Sequence, residues 1–282
     1  MPPLIRSKTK INVHNKQGFI LLLLSSNLCL WNPSTGANKP LALSPIACNE
    51  DALFFTFLYG FGYDPSTDDY IVVLASYDPE ADLETFFELF SVKANAWNRI
   101  EGMNLPYIDA SDDPRAGTLL NGVIHWLAFR YDVLANVIVA FDLTERSFSD
   151  VLLSANLNQE LTFCDLRVLG GGLLCLCQRR GGRSRTEIWV MEEYKVQSSW
   201  TKSIVVSFDD IPSLYFSPRC STKSGDIVGI DDSTVLVKCN AEGQILEQHS
   251  YSDDPHGCEV VMYTESLLSL PIEIGQAAGG DV

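Results

Sequence analysis

The chain has 282 residues, 46% of them apolar, 20% charged and 10% aromatic, enough to bury a sizeable core without lipid. Its 20 Lys and Arg stand against 36 Asp and Glu, a formal charge of −16, the wrong sign for a protein that neutralises phosphates along a duplex, so general nucleic-acid binding is disfavoured. The apolar run Phe19–Leu24 is shorter than a secretory core or a membrane span, and no membrane partner is expected.

In chain order, the apolar segments are short, rich in Val, Ile, Leu, Phe and Tyr, and punctuated by Gly, Asn, Asp and Pro, which is the pattern of strands. Gly18–Leu24, Leu28–Asn32 and Lys39–Leu43 predict three strands, a unit short of one. Phe55–Tyr63, Tyr70–Ser76, Thr85–Val92 and Trp97–Glu101 predict four more. The clearest unit follows: Ala116–Leu120, Val123–Phe129, Val137–Leu143 and Phe148–Leu153, with Asn121-Gly122 between the first two. Asn-Gly between apolar runs predicts a tight hairpin, because a type I′ turn needs positive φ at both central positions. Thr162–Leu169, Leu173–Gln178, Thr186–Met191 and Trp200–Val206 form a fourth unit, with a turn of helix expected within Glu192–Ser199. Leu214–Cys220, Ile227–Asp231, Thr234–Cys239 and Ile245–His249 form a fifth.

Third strands begin near residues 28, 85, 137, 186 and 234, intervals of 57, 52, 49 and 48. A four-stranded unit repeating about every 40–50 residues is the mark of a propeller blade. Lys10–Val13 at the front, with Cys258–Met262 and Leu267–Leu270 at the back, predict a shared closing blade that hides the first and last edges. The expected fold is all-β, a kelch-like β-propeller of six blades, each a four-stranded antiparallel meander. Residues 1–17 read as an N-terminal extension carrying one strand of the closing blade, residues 18–272 as the propeller, and residues 273–282 as a disordered tail.

Several ordered segments resemble the plant F-box-associated domain: Leu30-Trp31-Asn32-Pro33-Ser34-Thr35, Gly60 through Tyr70, Asn121-Gly122-Val123-Ile124-His125-Trp126-Leu127, Ile138–Leu143, Glu187 through Lys202, and Tyr263-Thr264-Glu265-Ser266-Leu267. The resemblance implies the substrate-recognition half of an SCF-type (Skp-cullin-F-box) ubiquitin ligase, binding target proteins for ubiquitination. In that family an N-terminal F-box docks a Skp-type adaptor of a cullin ligase. Only residues 1–17 precede the first propeller strand, too few for the F-box's helices, so adaptor and cullin binding is expected only if an F-box is supplied upstream. A stand-alone interaction propeller without ubiquitin-ligase coupling is the alternative, and a propeller enzyme a more distant one.

No enzyme is expected. Nucleophile-elbow, zinc-protease and phosphate-loop motifs are absent, and the histidines at 14, 125, 249 and 256 include no pair at metal-ligand spacing. Cys175 and Cys177 share a strand face without a second pair, so no zinc, and no cofactor of any kind, is expected. The eight scattered cysteines act as small hydrophobes, and together with the only sequon being blocked by Pro33 they point to the cytoplasm or nucleus. The turns Asn32–Thr35 and Asp64–Thr67 read as Asx-type reversals rather than chemistry. The tryptophans read as packing.

The connections between second and third strands, and those between units, are longer and more variable than the others, and loops on a rigid scaffold carry recognition. Among them lie the candidate partner-binding residues Tyr77, Tyr107, Asp109, Asp112, Asp113, Arg130, Tyr131, Arg179, Arg180, Arg183 and Arg185. Tyrosine and arginine are favoured at binding hot spots, and the Arg179–Arg185 run is the one concentrated basic patch in an acidic body. The expected partner is a target protein or peptide. The acidic 109–113 loop and the basic 179–185 loop, on neighbouring units, could instead pair with each other.

Overall fold

A computed structural model describes residues 11–14, 18–24, 27–42, 44, 56–78, 84–100, 107–109, 115–154, 157, 164–170, 172–180, 185–207, 216–231, 234–251 and 260–270. The first sheet has the order β1 (Ile11–His14), β2 (Ile20–Leu24), β3 (Asn27–Trp31), β4 (Asn38–Leu41). The second follows as β5 (Thr56–Asp64), β6 (Asp69–Asp78), β7 (Glu84–Ser91) and β8 (Ala96–Ile100). Next come the short β9 (Tyr107–Asp109) and β10 (Arg115–Ala116), the latter pairing parallel with β5.

The third sheet runs β11 (Thr118–Leu120), β12 (Val123–Arg130), β13 (Ala135–Asp142), β14 (Ser147–Leu152). The fourth runs β15 (Cys164–Leu169), β16 (Leu173–Arg180), β17 (Arg185–Met191), β18 (Trp200–Ser207). The fifth runs β19 (Phe216–Ser221), β20 (Ile227–Asp231), β21 (Val235–Cys239), β22 (Ile245–Ser250). In each sheet the four principal strands form a meander in chain order, with β10 added beside β5 and β9 beside β12. The first–second and third–fourth connections therefore leave one end of a sheet, and the second–third connection leaves the other.

The described residues form five blade-like sheets, not six. Among the described residues no closing blade forms, and its expected front strand goes elsewhere: β1 pairs antiparallel with β2, Ile11 opposite Leu22 and His14 opposite Ile20, and supplies the strand that the first unit lacked. At the back, residues 260–270 contain no strand. They form a strap tied to the first sheet, where Asn32 Nδ2 donates to the carbonyls of Ser266 and Leu268 at 3.0 Å each, and the Ser266 amide donates to Ser34 Oγ at 3.0 Å. The strap comes so near Gly18, which sits at φ +88°, that a Cβ there would lie 2.1 Å from Cβ of Ser266.

The segment expected as one strand over 116–120 divides at Gly117, whose amide donates to the Tyr59 carbonyl at 2.7 Å. Ala116 thus belongs to the second sheet and Thr118 to the third. Asn121 and Gly122 adopt φ of +51° and +79°, the expected hairpin geometry. The helical turn within 192–199 is a 3-10 turn over Gln197–Ser199. No helix among the described residues is long and apolar enough to cross a membrane.

The chain divides into two compact units, residues 1–124 with 141–148 and 263–282, and residues 125–140 with 149–262. The first is packed around Phe19, Leu21, Leu28, Leu30, Tyr59, Phe61, Tyr70, Val72, Leu74, Phe90 and Val92, alternate residues of successive strands, with Leu270 of the strap against them. Phe61 stacks on Tyr70 at 5.7 Å between ring centroids, and Phe19 meets the same ring edge-on at 5.0 Å. The second unit buries Leu169, Cys175, Cys177, Ile188, Val206, Phe216, Ile227, Val237 and Cys239 in one cluster. Each such apolar side chain contributes about 1.5–3 kcal/mol when fully buried. Burial pushes the Cys175 thiol up to about 12 and that of Cys239 to about 11, so both stay protonated and act as apolar filling.

Candidate partner-binding site

The polar turns prove to be scaffold. Asp64 is buried, and its carboxylate accepts from the Ser66 amide (2.9 Å), Ser66 Oγ (2.7 Å), Thr67 Oγ1 (2.8 Å) and Arg146 Nη2 (2.7 Å). Burial by itself raises its pKa, but the Ser66 and Thr67 hydrogen bonds and the Arg146 charge outweigh that and hold it below the usual carboxylate value. Asn32 uses its Oδ1 in the same way, accepting from the Ser34 amide at 2.9 Å, while its Nδ2 holds the strap. His125 is buried and its Nε2 lies 2.7 Å from the Tyr194 hydroxyl. Among the described residues, no group of three or more His, Cys, Asp or Glu is placed to hold a metal ion.

The second–third ends of the third and fourth sheets, both in the second unit, carry most of the candidate residues that the structure describes. Between β12 and β13 the chain reverses over Tyr131-Asp132-Val133-Leu134, with Leu134 at φ +51°. Arg130, at the end of β12, grips this turn: Nε and Nη2 donate to the two carboxylate oxygens of Asp132 at 2.9 Å each, and Nη1 pairs with Asp150 of β14. The fork holds the Asp132 carboxyl below its ordinary pKa, chiefly through the hydrogen bond from Arg130. Arg130 thus acts as a brace. The turn it braces is apolar and open: Tyr131 is 47% exposed, Val133 54% and Leu134 77%.

Between β16 and β17 the ladder ends with Arg179 opposite Thr186 and Arg180 opposite Arg185. Arg179 is half-buried and Arg185 exposed, and Arg183 lies outside the described residues. Tyr77 stands in β6 opposite Thr85 rather than in a loop, because that hairpin's ladder extends to Asp78 and Glu84. Tyr107 and Asp109 occupy the short strand β9, inside what reads in sequence as one long loop. Asp112 and Asp113 lie outside the described residues, as does any pairing of their loop with the basic one.

The structure therefore brings Arg130 with Tyr131, and Arg179 and Arg180 with Arg185, each set on one hairpin. Val133 and Leu134 are additions that sequence reasoning missed. Their signal was two large apolar residues in a four-residue turn, where polar turn formers are the norm.

The F-box associated beta propeller domain matches residues 6–269. The chain belongs to that family. The five meander sheets are accordingly its propeller blades. F-box protein CPR1 of Arabidopsis thaliana is 32% identical over 86% of this chain and 64% of its own length. A second Arabidopsis F-box protein is 31% identical over 86% of this chain and 63% of its own length. An F-box/kelch-repeat protein of the same plant is 27% identical over 64% of this chain and 48% of its own length. The matches thus span less than two thirds of these relatives. Among solved structures, the calcium-binding protein regucalcin of Agrobacterium tumefaciens gives a TM-score of 0.50 at 10% identity, over 86% of this chain and 74% of that one, a likeness of fold alone.

Proposed function

We propose that this chain is the target-recognition part of a plant SCF-type ubiquitin ligase: a non-enzymatic propeller that holds a protein so that the ligase can ubiquitinate it in the cytoplasm or nucleus. Family membership over residues 6–269 is the observation that supports this most strongly. The described residues also support it, since the buried Asn32 and Asp64 serve turns while Tyr131, Val133 and Leu134 stand exposed at a hairpin end. Docking to a Skp-type adaptor and cullin belongs, in this reading, to an F-box segment, and the propeller contributes the target.

The test is to join the chain in frame to an F-box and express it in plant cells beside the chain by itself. Both forms should capture the same proteins. Only the F-box form should raise ubiquitin conjugation of those proteins and lower their steady-state level. Captured proteins whose conjugation does not respond to the F-box form would overturn the proposal.

A further inference from the structure

Four-residue turns ending in a left-handed residue recur in this chain, with Asp68 at φ +53°, Asn95 at +52°, Leu134 at +51° and Arg146 at +52°. Asp and Asn enter that region readily, whereas a bulky apolar residue does so at a conformational cost. Leu134 recovers none of that cost through burial, being 77% exposed. Tyr131 and Val133 stand open in the same turn. Backbone strain of this kind concentrates where binding uses it.

The turn is also held stiff. Arg130 forks onto Asp132 within the turn and reaches past β13 to Asp150 of β14, so one guanidinium ties the turn to its own sheet. β14 runs toward this end of the sheet and finishes there with Leu152, two residues beyond Asp150 and therefore on the same strand face. Leu152 is 50% exposed. This end of the third sheet thus carries exposed apolar side chains on its turn and on its last strand, with the ionic brace linking the two. The brace holds two carboxylates to one guanidinium, Asp132 is exposed, and the chain carries a formal charge of −16.

We infer that this end of the third sheet is a docking surface for a basic segment of a partner protein with large apolar side chains at its centre. Tyr131, Val133, Leu134 and Leu152 take the apolar side chains, and the acidic surroundings take the flanking lysines or arginines. Charge selects this occupant, because a body of −16 repels an acidic segment and steers a basic one toward itself. A braced turn loses little freedom on docking, which leaves more of the contact energy for affinity. The inference rests on the target-recognition reading and names the chemistry of the target segment.

The test titrates the whole chain into a fluorescein-labelled peptide with Trp and Leu at its centre and lysines on both sides, read by anisotropy, while thermal unfolding is followed in parallel. The parent should bind it, more weakly as salt rises. Replacing the central Trp and Leu by Ser, or the lysines by Glu, should weaken binding at least about tenfold. Leu134→Asn removes an anchor contact and gives the turn a residue suited to the left-handed position, as Asn95 is in its own turn. It should weaken binding about tenfold or more while the unfolding temperature holds or rises. Leu246→Asn, which removes an exposed leucine from β22 of the fifth sheet, should bind like the parent.

Affinity that falls while stability holds or rises is what a merely structural role would not produce. Failure of the lysine peptide to bind, equal binding of its Ser or Glu versions, equal binding by Leu134→Asn, or an equal loss in Leu246→Asn would overturn the inference. So would a drop in unfolding temperature accompanying the lost affinity of Leu134→Asn. If Leu134→Asn, joined to an F-box, directs ubiquitination of the captured proteins as well as the parent does, target recognition stands and this surface is wrong. If the parent joined to an F-box fails to raise conjugation while the peptide binds as expected, the surface stands and the ligase reading falls.

Discussion

Asp64 shows how a polar cluster in this chain serves the scaffold. Its carboxylate is buried and answers three hydroxyls, an amide and the Arg146 guanidinium, so removing it strands several donors at once. Asp64→Ala is expected to cost about 3 kcal/mol, read by chemical denaturation. Because the folded-state pKa is depressed, its contribution is fully present above the ordinary carboxylate value near 4 and is lost as pH falls through the lower folded value. Asp64→Asn should therefore be less stable than the parent at neutral pH and approach it in acid.

Trp126, buried in β12, contributes a large ring to the core. Trp126→Ala should cost roughly 3–5 kcal/mol in the same measurement. The turn role of Asp64 was legible in sequence, since Asp-Pro-Ser-Thr encodes a reversal locally. The partner Arg146 was not, because it lies 82 residues away. Leu134 was illegible for another reason, as a strained residue contradicts the local preference by which turns are read.

Strand positions, set by apolar alternation and turn residues, were legible within one to two residues across most of the chain. Which sheet a strand joins was not. Ile11–His14 has the same apolar character whether it closes a ring or completes the first sheet, and only long-range pairing with β2 decides. Gly117 likewise divides one apolar run between two sheets through its hydrogen bond to Tyr59, a choice that leaves no local trace.

The strap departs furthest from expectation. Ser266 and Leu268 are held by a side-chain amide where a ladder was expected. Asn32→Ala should release the strap, lowering stability by about 1–3 kcal/mol and raising proteolysis near residues 263–270 before global unfolding. A variant cleaved no faster than the parent would show that the strap is held by its Leu270 packing instead.

At the scale of the whole chain, repetition made the propeller readable, because each unit repeats one pattern of four strands with tight turns at one end. The division of labour follows from that pattern. Locally determined turns such as those at Asn32 and Asp64 hold their sheets, while the described second–third turn, that of the third sheet, carries Tyr131, Val133 and Leu134 outward.

Hydrogen–deuterium exchange tests this most directly, comparing the chain free and bound to a protein whose ubiquitination depends on the F-box-joined form. Binding is predicted to slow exchange in the hairpins around residues 130–135 and 179–185 and to leave the turns at Asn32 and Asp64 unchanged. Protection confined to the Asn32 and Asp64 turns, with both hairpins exchanging as in the free chain, would contradict the account.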